Sequence, residues 1–300
     1  MGLLEKIDDV VESIADYRLG GYHPVHLHDL FNERYEITGK LAHGQTSTVW
    51  LAWDQRLEQQ VALKIVKADA SRDNKELEIL LYLSNPDLDH PGKRHVIKLL
   101  DHFEHRGPNG IHLCLIFPVL VSDGKEMVLA GKPRQYSSRA QGIFDETDPS
   151  MLLVQLGDLG GAAWSGQCPE RPVTLIPLRA PELVHRSEWD FKIDIWTLGC
   201  LLFELATNEP LFSVPCLGLT AEQIDQEHKI LIDQIIGESS QMLESFAFFL
   251  LERLRANPQV TRRPHNLVSF LCSMLQRDPR ARKSAAELLK DPWMMGEKFW

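Results

Sequence analysis

The periodicity of this chain changes once, and that change restricts its fold more than any other feature. From Tyr35 to Leu120, short β-branched and apolar runs, "YEITGKLA", "STVWLAWD", "QQVALKIV", "HVIKLLDHFE" and "IHLCLIF", are punctuated by Gly, Asp and Asn turns. This is the pattern of a small antiparallel sheet. One helical stretch interrupts it, "SRDNKELEILLYLSN", in which Leu77, Leu80, Leu81 and Ile79 predict the apolar face and Ser71 or Asp73 the cap. From Ala180 onward the runs lengthen into helices, among them "KIDIWTLGCLLFELAT", "EQIDQEHKILIDQIIG", "SSQMLESFAFFLLERLR" and "PHNLVSFLCSMLQRD". A β-rich part followed by a helical part reads as an α+β chain of two lobes. The expected division is an N-terminal extension over 1–34, a sheet lobe over 35–120, an irregular linker over 121–150 and a helical lobe over 151–300. The linker is polar, turn-rich and without sustained period.

Composition narrows the function classes. With 32 basic and 42 acidic residues the net charge is −10, which argues against a nucleic-acid surface and permits a basic protein partner. The five cysteines are odd in number, widely spaced and form no CxxC pair, so a reducing intracellular compartment, cytoplasmic and/or nuclear, is the expected setting. The N-terminus lacks the basic start and apolar core of a secretory signal, and the longest greasy run, Ile195–Leu205, is too short to span a bilayer. No membrane association is expected.

Three features carry chemistry. In "KLAHGQTSTVWLA", small residues allow backbone amides to approach an anion. Set against the phosphate-loop pattern G-x-G-x-x-G-x-V, the chain offers Ala42, Gly44 and Ser47 followed by Val49, one glycine of three. By itself this reads as an ordinary hairpin turn rather than a phosphate loop. Lys64, in "VALK", interrupts a strand that otherwise takes apolar residues. Burying it needs anionic partners, and Glu78 on the following helix is spaced to supply one while ATP phosphates supply the others. The plain alternative is a lysine exposed on an edge strand. Asp158 directly follows the apolar "LLVQL", where a carboxylate suits magnesium, although an Asp-Leu-Gly turn is common.

The segments C-terminal to Asp158 give it specificity. "RAPE" (Arg179–Glu182), "DIWTLGCLLFELATNEPLF" with Asp194, and "DPRARKSAAELLKDPW" with Arg282 come in the order and rough spacing of a kinase helical lobe. From about Tyr22 to Trp293 the chain resembles a eukaryotic protein kinase. More narrowly, "DYRLGGYHPVHLHDLFNERYEITGKLAHGQTSTVWLAWD", "GPNGIHLCLIF" and "LRAPELVHRSEWDFKIDIWTLGCLLFELAT" resemble the SR-protein kinase group in its fungal form. That resemblance implies a two-lobed kinase fold, ATP and Mg2+ as cofactors, and phosphorylation of serines in Arg/Ser-rich, splicing-factor-like proteins. It assigns nucleotide contacts to Leu41, Ala42, His43, Gly44, Gln45, Thr46, Ser47, Val49, Ala62, Lys64, Phe117 as gatekeeper, and Leu120 at the end of the hinge. It also gives Glu182, Asp194 and Arg282 structural roles, the first and last as a buried ion pair.

The chain departs from the family at one place. Between the hinge and Asp158 the family carries two helices and a catalytic loop, His-x-Asp-Leu-Lys-x-x-x-Asn or a close variant, whose Asp orients the substrate hydroxyl and whose Asn holds magnesium. No such string occurs here. The nearest echo, "SDGKEMVL", keeps Asp123 and Lys125 but has Val128 where the Asn belongs. Asp123 follows Phe117 by six residues, a reach of at most roughly 20 Å, whereas a crossing helix of some 20 residues is about 30 Å long. Asp123 is therefore a weak candidate base, and Asp145 and Asp148 lack any supporting Lys or Asn. The family's helical pair and catalytic loop read as deleted in one block. The expectation is a pseudokinase or shortened product with little or no turnover, its helix at Lys192–Thr207 left with an uncovered apolar face. Two alternatives stand beside it: an active Ser/Thr kinase with an unrecognised base, and a non-enzymatic module docking basic Arg/Ser segments.

Overall fold

The computed structural model describes residues 12–120, 153–167, 174–237, 240–255 and 264–295. The linker lies outside the described residues, and with it Asp123, Asp145 and Asp148. Among those described, 12–120 with 153–162 form one compact unit and those from 163 onward another.

The first unit is built on a six-stranded antiparallel sheet. Its strands are β1 (Leu30–Phe31), β2 (Tyr35–His43), β3 (Ser47–Asp54), β4 (Gln59–Val66), β5 (Asp101–Gly107) and β6 (Gly110–Pro118), in the order β1-β2-β3-β4-β6-β5. β4 is buried from Val61 to Val66, so both faces of the sheet's centre are covered. One face holds the core of Ile37, Trp50, Leu63, Ile65, Cys114 and Ile116. Side chains alternate along a strand, so the opposite face carries Val49, Ala62, Lys64, Leu115 and Phe117. The register agrees, pairing Lys64 with Val49 and Leu115, and Ala62 with Phe117.

Two short helices come after β4, α1 (Ala68–Ser71) and α2 (Lys75–Leu83). The cap of α2 is Asn74, whose side chain accepts from the Leu77 amide, and not Ser71 or Asp73. The buried residues of α2 are Glu76, Ile79 and Leu80, so the helix is rotated from the predicted face and Leu81 is exposed.

The domain boundaries also differ from expectation. Residues 153–162 belong with the sheet, because Leu156 forms a parallel bridge with Val96, the Ile97 amide donates to the Leu156 carbonyl at 2.9 Å, and the Leu156 amide to that of His95 at 2.7 Å. Much of the expected N-terminal extension packs on the same unit, with Tyr22, His23 and Phe31 buried.

His23 sits among three rings, 4.6 Å from His105, 5.1 Å from His112 and 5.6 Å from Phe31. Burial lowers its pKa to about 4, the neighbouring His105 and His112 assisting, with His26 adding slightly and Asp29 opposing. The neutral form is thus the folded form. Stability from His23 is complete above the unfolded value of about 6.5 and is lost as pH falls from there towards 4, a change of up to about 3 kcal/mol. The melting temperature is expected to drop between pH 7.5 and 4.5, and less steeply in His23→Phe; parallel profiles for the two proteins would refute this assignment.

In the second unit, α3 (Pro181–Val184), α4 (Lys192–Thr207), α5 (Ala221–Ile235), α6 (Ser240–Arg255), α7 (Pro264–Met274), α8 (Ala285–Leu288) and α9 (Pro292–Met295) surround a core including Trp196, Phe203, Phe212, Phe246, Leu250 and Leu271. α4 approaches the end of α7 closely at Gly199, where a Cβ would meet Leu275 Cδ2 at 2.9 Å. On its far side Leu198, Leu201 and Leu205 are 45%, 38% and 43% exposed, and their spacing of three and four residues makes one partly exposed stripe. Asp194 lies in the first turn of α4, where a carboxylate complements the positive helix end.

Candidate functional site

The site is assembled on the lysine-bearing face of the first unit. Lys64 is paired across the sheet and therefore fixed, and its side chain is 10% exposed. Its Nζ donates to Glu76 Oε1 and Oε2, both at 2.8 Å, and to Asp158 Oδ1 at 2.8 Å. Burial alone would lower the pKa of this lysine, but the charge and hydrogen bonds of Glu76 and Asp158 outweigh it and hold it above its ordinary value. The ammonium is therefore permanent.

Glu76 occupies the place that sequence spacing gave to Glu78. At 100° per residue the two glutamates stand about 200° apart on the helix, so only one can face the sheet. With Asn74 as cap, the row Glu76, Ile79, Leu80 turns inward. Glu78 instead lines an outer cavity beside Leu77, Leu81 and Phe103.

Asp158 is brought to Lys64 by the bridge at Leu156 and by Leu159, which is buried. Its backbone is left-handed, φ 53° and ψ 65°, a conformation that costs a non-glycine residue energy and recurs at functional sites. The Asp158 side chain is 85% exposed, so beyond the oxygen held by Lys64 its carboxylate is open. Among the described residues no group of three or more His, Cys, Asp or Glu could hold a metal ion. One open carboxylate beside a buried lysine still fits magnesium, which takes one or two carboxylates and completes its shell with phosphate oxygens and water.

The turn between β2 and β3 is closed by the Gly44 amide donating to the Ser47 carbonyl at 2.8 Å, and the Lys67 amide donates to Thr46 at the same distance. Leu41, Ala42 and Gly44–Thr46 are exposed, His43 partly so, and Ser47 is buried. A Cβ on Gly44 would meet nothing within 4 Å, so local packing does not require glycine there and the backbone lies open to a ligand. Ala62 and Phe117 are buried, Val49 is half-buried, and Leu120 is exposed.

In the second unit, the Arg282 guanidinium makes a fork to Glu182: Nη1 donates to Oε1 at 2.6 Å and Nη2 to Oε2 at 2.7 Å. Its remaining N–H groups reach the carbonyls of Gln276, Lys192 and Arg277, and its face lies 5.0 Å over the Trp196 ring.

A twisted sheet with a buried lysine held by a helix glutamate, a carboxylate at a strand-end corner, and a helical unit locked by a Glu–Arg fork together define a protein kinase. The chain belongs to the protein kinase family, residues 143–294 matching the model of the protein kinase domain. Within it the chain is a serine/threonine-kinase-type member of the SR-protein-kinase-like group. It is 27% identical to the serine/threonine-protein kinase SRPK of Physarum polycephalum over 396 aligned positions, covering 96% of this chain and 92% of the relative. It is 45% identical over 122 residues to protein kinase dsk1 of Schizosaccharomyces pombe, covering 39% of this chain and 22% of dsk1. Human SRSF protein kinase 3 is 39% identical over 122 residues, covering 40% of this chain and 22% of that protein. Among the described residues no helix is long and apolar enough to cross a membrane.

Proposed function

We propose that the first unit binds ATP with magnesium and that the chain transfers phosphate to protein serines weakly or not at all. The observation that carries the nucleotide reading is the Lys64–Glu76–Asp158 constellation. A permanent cation aimed at an open carboxylate suits a polyphosphate bridged by a divalent ion. Magnesium, when bound, neutralises charge on the β- and γ-phosphates. The chain's own groups would divide the rest: Lys64 meets phosphate oxygens, Asp158 holds the ion, Val49 and Ala62 border the base beneath Phe117, and the Gly44 turn covers the phosphates.

Weak transfer is supported from three sides. The sequence lacks an Asp and Asn in catalytic-loop order. The alignment with the Physarum kinase spreads 96% of this chain over 396 positions, so more than a quarter of them have no residue from it. The α4 stripe Leu198, Leu201 and Leu205 is partly exposed, which agrees with a lost covering helix. A positioned base contributes roughly 10²–10⁴-fold to such a step. The acceptor class that the family resemblance implies is the Arg/Ser-rich protein, whose positive charge also suits a chain of net charge −10.

A second reading, an active kinase with another base, is favoured by Asp158, whose backbone is held left-handed and whose carboxylate is open to solvent. One pair of measurements separates the two. Calorimetric titration with ATP, with and without magnesium, is expected to show metal-dependent binding; none at millimolar ATP removes the proposal. Labelled-phosphate transfer to an Arg/Ser peptide is expected to be weak or absent, and transfer at an ordinary kinase rate of roughly 1–100 per second that Asp158→Ala abolishes would establish the second reading instead.

A further inference from the structure

We propose that Tyr22 is a positioning residue for the phosphate-binding turn, holding its backbone in the form that receives an anion. The proposal rests on the nucleotide reading and extends it to a residue outside the sheet. Tyr22 is buried, and its hydroxyl donates to the carbonyl of Gly44, twenty-two residues away at the tip of the β2–β3 turn.

The segment before Tyr22 is shaped for this delivery. Gly20 has φ +82°, and a Cβ on Gly21 would lie 1.8 Å from the Asp16 carbonyl oxygen, so the Gly-Gly pair is what lets the chain double back. The bend is then fixed from four directions. The Tyr22 amide donates to Asp16 at 3.0 Å, and Asn109 Nδ2 donates to the Tyr22 carbonyl at 2.6 Å. The amides of Ala68 and Asp69 donate to Gly21 and Gly20. Lys67 Nζ stands 4.1 Å over the Tyr22 ring and 3.5 Å from Asp16 Oδ2.

The consequence falls on the phosphate-binding turn. With the Gly44 carbonyl engaged by Tyr22, that of Thr46 by the Lys67 amide and that of Ser47 by the Gly44 amide, three carbonyl dipoles are committed to protein donors. Carbonyl oxygens repel phosphate, and backbone amides attract it. Fixing the former leaves the turn's remaining amides, that of Gly44 being spent on Ser47, to face a ligand. Burial, with Asp16 and Glu12 adding, raises the pKa of the phenol, so the hydroxyl remains a donor at any working pH.

The test is Tyr22→Phe, which removes the hydroxyl and keeps the ring against Lys67. Titrations of the full chain with MgATP and with adenosine are compared with wild type, alongside melting without ligand. ATP affinity is expected to fall roughly five- to tenfold, within the worth of one hydrogen bond, with adenosine affinity unchanged and the melting temperature lowered by only the few degrees that one lost hydrogen bond implies. Unchanged ATP affinity overturns the proposal, and so does an equal loss for ATP and adenosine, which marks a structural residue only. If wild type binds neither ligand, the nucleotide reading itself fails and this role fails with it.

Discussion

Replacing Arg282 with alanine is expected to lower the stability of the helical unit by about 3–5 kcal/mol, the cost of stranding one member of a buried ion pair. Arg282 has no exposed side-chain surface and Glu182 only 4%, so the carboxylate left behind has no access to water. The three carbonyls of Gln276, Lys192 and Arg277 lose a donor as well. At roughly 2–4 °C per kcal/mol for a unit of this size, the melting transition should move down by about 10 °C. Arg282→Lys should rescue little, because one ammonium cannot reproduce a planar fork. Glu182→Leu combined with Arg282→Met should recover much of the loss by leaving no orphan charge. Thermal unfolding followed by circular dichroism decides it; a shift under 2 °C for Arg282→Ala would mean that the fork contributes little.

Much of this architecture is legible in the sequence because each signal is periodic or local. The apolar run around "VALK" marks a strand that Lys64 interrupts, and the apolar run before Asp158 places that carboxylate at a corner. The Glu–Arg fork, one hundred residues apart in sequence, comes only through resemblance, since periodicity carries no information about such a pairing. Three features escape a reading of this kind. The Glu76/Glu78 choice turns on the helix start: with Asp73 or Ser71 as cap the phase is loose, and with Asn74 it is fixed, the Asx side chain being the local signal that points to the right phase. The place of 153–162 beside the sheet is hidden because the Leu156–Val96 bridge is a non-local backbone contact without a composition signature. Tyr22 is hidden because a phenol bonding to a turn carbonyl depends on tertiary position; the paired glycines before it are the one local hint of a tight bend.

Lys64→Ala is expected to remove detectable MgATP binding, and the two glutamates then provide the finer measurement. The Lys64 ammonium is held by Glu76 at 2.8 Å through both oxygens and by the exposed Asp158 through one. Of the two, Glu76 is the buried partner, 5% exposed, and supplies the larger share of what keeps Lys64 protonated against burial. In Glu76→Ala the lysine keeps only a carboxylate that magnesium must also claim. Its pKa should then fall, because burial disfavours the charged form. ATP affinity should drop about tenfold or more at neutral pH and decline further as pH rises towards 9, since the deprotonated amine no longer attracts phosphate. Glu78→Ala, altering a residue on the outer face of α2, should leave affinity within about twofold and its pH profile flat. Titration calorimetry of the three variants at pH 6.5 and 8.5 separates the cases. If Glu78→Ala weakens binding and Glu76→Ala does not, the phase of α2 given by its cap is wrong, and the constellation that supports nucleotide binding must be rebuilt around a different carboxylate.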